Sequence, residues 1–72
     1  MKLKVGDSLH EPLSGNNGEV LKIINHPDGK LVTIRWYVED HLAHEGEFFL
    51  NKLVKCIRQG EIEHSPGPGH SD

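Results

Sequence analysis

The sequence predicts an all-β fold, a small barrel closed by about five short strands, and three observations carry that prediction. Turn signals recur at short intervals: Val5-Gly6-Asp7, Ser14-Gly15-Asn16-Asn17-Gly18, His26-Pro27-Asp28-Gly29 and Glu45-Gly46. Gly, Asn, Asp and Pro each favour turns for a definable backbone reason. The runs between them are short and β-branched, and none keeps a helical period with a cap at each end. At 72 residues the chain has room for one domain, and closing a barrel spares so few strands their open edges.

Taken in order, Leu3 to Val5 leads into a first strand over Ser8 to Glu11. Glu19 to Asn25 forms the second and Leu31 to Val38 the third, and the Pro-Asp-Gly turn makes these two a hairpin. Alternation in the third strand puts Val32, Ile34, Trp36 and Val38 on one face, expected to be the core. Leu31, Thr33, Arg35 and Tyr37 take the other. A loop follows from Glu39 to Gly46. A short fourth strand near Glu47 to Phe49 runs into Leu50-Asn51-Lys52-Leu53, which suits a single 3-10 turn. Val54 to Ile57 then closes the barrel as strand five. From Gly60 onward the chain is rich in Gly, Pro and Ser, too polar to offset its ordering entropy. The barrel is therefore expected over residues 1–62, with a disordered tail over 63–72.

Net charge is −3, from eight basic and eleven acidic residues. That balance argues against non-specific nucleic-acid binding, which depends on cations neutralising phosphates. Cys56 is the single cysteine, so an internal disulfide is excluded. It reads as a small buried hydrophobe in a reducing compartment. The first residues contain no apolar run of the signal-peptide kind, and nothing approaches the roughly 20 apolar residues of a membrane span. A cytoplasmic protein without membrane association is the expectation.

The order Val5-Gly6-Asp7, then Gly15-x-x-Gly18-x-Val20-x-x-Ile23, then Val32-x-Ile34-x-Trp36 resembles the KOW-type version of the SH3-like barrel. The ending, Phe48-Phe49-Leu50-Asn51-Lys52-Leu53-Val54-Lys55-Cys56-Ile57, is similar to the strand, 3-10 turn and final strand that close SH3-like and Tudor-like barrels. The resemblance implies a binding or adaptor module. KOW domains contact RNA or protein through their loops, and Tudor-like domains hold methylated side chains in aromatic cages.

The segment Glu39-Asp40-His41-Leu42-Ala43-His44-Glu45-Gly46-Glu47 gathers two histidines and four carboxylates. Such side chains can ligate divalent ions, yet no cysteine partner or HExxH pattern accompanies them, so no metal is expected. The simpler reading is an acidic lip suited to a protein partner, formed by Glu39, Asp40, His41 and His44 with Phe48 and Phe49 beside it. One of two consecutive phenylalanines on a strand must point away from the core. A second reading assembles Lys22, Arg35, Tyr37 and Lys52 into a basic-aromatic patch for nucleic acid. A third is a homo-oligomer enclosing a small-molecule site, or an accessory subunit of an enzyme. Enzyme motifs are missing: Gly15-Asn16-Asn17-Gly18 lacks the Lys-Ser/Thr ending of a phosphate loop, and no nucleophile elbow occurs. The sequence thus predicts a non-catalytic binding module without cofactor.

Overall fold

The hairpin expected at Pro27-Asp28-Gly29 forms the spine of the molecule. In the computed structural model, which describes residues 3–37 and 44–67, β2 (Asn16–His26) pairs antiparallel with β3 (Gly29–Tyr37), and His26 faces Gly29 across a two-residue turn. Gly29 takes φ 135°, open to glycine and strained for other residues. The Asp28 amide donates to His26 Nδ1 at 3.1 Å, tightening the turn. Val20 faces Ile34 and Ile23 faces Val32, with a bulge between Val20 and Lys22. Ile23 stands three positions after Val20, an odd spacing that puts regular strand residues on opposite faces, so only the extra bulge residue lets both point inward.

β1 (Ser8–Glu11) lies on the far side of β2, and β4 (His44–Phe49) pairs with β3. β5 (Glu63–Ser65) pairs antiparallel with β1, giving the sheet order β4-β3-β2-β1-β5. The structure is thus mostly β, a five-stranded antiparallel sheet with one short helix, and no β4–β5 ladder is found among the described residues.

That helix, α1 (Leu50–Arg58), corrects the expected ending. Leu50 to Leu53 is its first turn rather than an isolated 3-10 turn, and Val54 to Ile57 continues the helix instead of forming a closing strand. The reason lies in the core. Leu53 is buried, and Leu50, Cys56 and Ile57 pack against the core beside it, a spacing of three and four that only a helix brings to one face. Lys55 and Arg58 occupy the last turn, where the helix dipole favours positive charge. Gly60, at φ 80°, stops the helix, its amide donating to Ile57 O at 3.2 Å.

The concave face of the sheet and α1 enclose Leu9, Val20, Val32, Ile34, Leu53 and Ile62, with Trp36 half-buried against them. Val38, expected beside them, lies outside the described residues. Thr33, expected on the solvent face, is buried instead. Glu63 to Ser65, expected within the tail, is a strand held to β1 through Ser8↔Ser65, Leu9↔His64 and His10↔Glu63. No described helix is long and apolar enough to cross a membrane.

Candidate functional site

Alternation decides which side chains of β3 and β4 meet. Trp36 and Phe48 both point to the concave face, where their rings stand edge to face at 88° with centroids 6.5 Å apart. Each lies over a glycine. A Cβ on Gly18 would come within 2.8 Å of the indole Cε3, and one on Gly46 within 3.1 Å of Phe48 Cε2. The missing side chains let both rings lie down over the sheet. Around them, Glu11, Asn16, His44, Lys52, Leu53, Cys56 and Ile62 complete a groove of about 390 Å³.

The rim of this groove is polar and held in place. Ser14 Oγ donates to Glu11 Oε1 at 2.6 Å and accepts from the Asn16 amide at 3.2 Å. These bonds brace the β1–β2 turn, whose tip carries Leu13, 99% exposed. Phe48 remains 37% exposed despite its place on the concave face. An aromatic pair and the side chains of Glu11, His44 and Lys52 therefore share one groove. Such a surface can take an apolar side chain and orient its flanks by charge.

The residues expected to bind a partner are divided by the fold. His44 and Phe48 line the groove. Phe49 does not: it points to the opposite face, half-buried, with its ring 5.2 Å from that of His26. Glu39, Asp40 and His41 lie outside the described residues. Among the described residues no group of three or more His, Cys, Asp or Glu side chains is placed to hold a metal ion.

The four residues expected to form a nucleic-acid patch do not come together. Lys52 lines the groove from α1, whereas Arg35 and Tyr37 sit on the convex face with Lys22 opposite Thr33. Carboxylates surround them there. Arg35 Nη2 lies 3.0 Å from Glu45 Oε2, and that bond holds the guanidinium pKa above its ordinary value. Tyr37 Oη donates to Glu19 Oε1 at 3.3 Å, and Glu47 stands opposite Thr33.

The most deeply placed ionisable group is one that sequence reasoning assigned to a turn. Asp7 is 0% exposed. Its carboxylate accepts from the Lys4 amide at 2.9 Å, from His64 Nε2 at 2.7 Å and from the Gly67 amide at 3.0 Å. Burial acts to raise the Asp7 pKa, but the His64 bond and the two amides outweigh it, and the carboxyl ends below its ordinary value of 3.8. The carboxylate thus ties the segment after β5 back to the start of the chain. Gly67 is packed so closely that a Cβ would overlap the Gly6 carbonyl oxygen. Cys56, on the floor of the groove, has its thiol pKa pushed up by burial and by Glu61, opposite to what a thiolate nucleophile needs.

Sequence reasoning missed Trp36 as a groove wall, and with it Glu11, Leu13 and Asp7. Gly18 was a usable signal for Trp36, because a glycine inside a strand often marks close approach of another group. Comparisons of the chain with protein-family models, curated proteins and solved structures find no match.

Proposed function

We propose that this chain is a small non-catalytic binding module that seats an apolar segment of a protein partner in the Trp36–Phe48 groove. The observation that carries the reading is the aromatic pair itself. Two rings at right angles, each bedded on a glycine, leave a solvent-facing gap between the sheet and α1. Aromatic anchors in a partly desolvated pocket dominate many protein interfaces. Glu11, His44 and Lys52 form the polar rim that orients the guest. On this reading the fold is a variant of the SH3-like barrel, with α1 standing where those barrels have their short turn. The lone cysteine fits a cytoplasmic setting.

Phe48→Ser tests the proposal. Phe48 is more than a third exposed, so the variant is expected to fold, with its thermal melt lowered by only a few degrees. Capture of a protein partner from nuclease-treated lysate should be lost. Retained capture by Phe48→Ser overturns the reading, as does capture by the native chain that disappears on nuclease treatment.

A further inference from the structure

Helical winding decides which basic residues meet. Along a strand Lys55 and Arg58 would point to opposite faces, but on α1 they stand three residues apart and share one flank with Asn51. Together with Leu50, Val54 and Gln59 they line a shallow, open depression of about 530 Å³ along the surface of the helix. Leu50 and Val54, one turn apart and half-buried, form its apolar strip. Lys52, Leu53 and Cys56 face the other way, into the Trp36–Phe48 groove. α1 therefore presents two flanks of different chemistry.

The helix dipole alone explains basic side chains in a last turn. It does not explain why an apolar strip adjoins them. α1 holds three of the chain's eight basic residues and no acidic one. On the convex face of the sheet, by contrast, Glu19, Glu45 and Glu47 are interspersed with Lys22 and Arg35. A guanidinium, an ammonium and two carboxamides offer donors suited to carboxylates.

We propose that this flank of α1 docks an acidic-apolar segment of a protein partner, with an aliphatic side chain on Leu50 and Val54 and carboxylates on Lys55 and Arg58. Charge complementarity names the occupant: Lys55 and Arg58, on a helix without acidic residues, attract an acidic segment. The site is separate from the Trp36–Phe48 groove and does not depend on it, which would make the module bivalent.

The test titrates isotopically labelled protein with a short synthetic peptide of Glu and Leu. Its Lys-Leu counterpart, a single-stranded oligonucleotide and vesicles of anionic phospholipid serve as competitors for the assignment. The Glu-Leu peptide should shift the amide resonances of Asn51, Lys55, Arg58 and Gln59 and bind more weakly as salt is added. Lys55→Glu combined with Arg58→Glu should weaken binding by about tenfold or more, and Phe48→Ser should leave it unchanged. If the charge-reversed protein does not fold, Lys55→Gln with Arg58→Gln carries the same comparison. Undiminished binding by the double variant would overturn the proposal. So would shifts confined to the Trp36–Phe48 groove, tighter binding of oligonucleotide or vesicles, or self-association that buries α1.

Discussion

Asp7 shows how much one side chain can decide in a small domain. A carboxylate wholly removed from water is costly unless its lone pairs are satisfied, and here two main-chain amides and an imidazole satisfy them. Because the folded pKa lies below the ordinary 3.8, the unfolded chain binds the proton more readily. The contribution of Asp7 is therefore complete above that value and drains away as pH falls through the lower, folded one. Asp7→Asn should cost about 2 kcal/mol near neutrality, the scale of a hydrogen bond to a charged group. In urea unfolding over a pH series, native and variant curves should converge in acid. A constant gap down to the lowest pH would show that the charge of Asp7 contributes nothing. In the sequence this residue reads as the end of a Gly-Asp turn, because its partners stand 57 and 60 positions away.

Among the elements, α1 separates local from non-local information most clearly. Leu53-Val54-Lys55-Cys56-Ile57 is short and partly β-branched, so it satisfies a strand template and a helix template alike. The stop signal was nevertheless present: Lys55 and Arg58 followed by Gly60 is the usual pattern of a helix C-terminus. Gly60 read instead as the start of a stretch rich in Gly, Pro and Ser, within a folded unit expected to end at residue 62. Its φ of 80° gives a direct check. Gly60→Ala should destabilise the fold by about 1 kcal/mol, because an L-residue resists the left-handed region. Chemical unfolding that detects no change would show that the fold does not depend on this conformation at Gly60. The strands were far more legible. The β2–β3 turn is encoded locally, and the alternation of Val32, Ile34 and Trp36 declares its own buried face.

At the scale of the whole molecule, the segment after α1 completes the fold rather than trailing from it. Ile62 enters the core, His64 meets Asp7, and β5 covers the outer edge of β1. Deleting residues 63–72 should therefore lower the thermal midpoint sharply and collapse the spread of amide resonances along β1. A disordered tail could be removed without effect on the melt, so the two outcomes are easily told apart. The expectation rests on size, since a chain of 72 residues has little buried surface to spare. The same economy explains the groove. Trp36 is too large for so thin a core to enclose, and Phe48 beside it remains part-exposed.

The sequence by itself determined the hairpin, the alternating strand at its centre and the first strand, because each rests on backbone preferences and periodicities spanning a few residues. Tertiary structure alone decided that residues 50–58 wind into a helix, that residues 63–67 fold back on Asp7, and that Trp36 and Phe48 rather than Phe49 share a groove. Those outcomes depend on which distant surfaces must be covered. Short segments whose local preferences are nearly balanced take the conformation that buries the core.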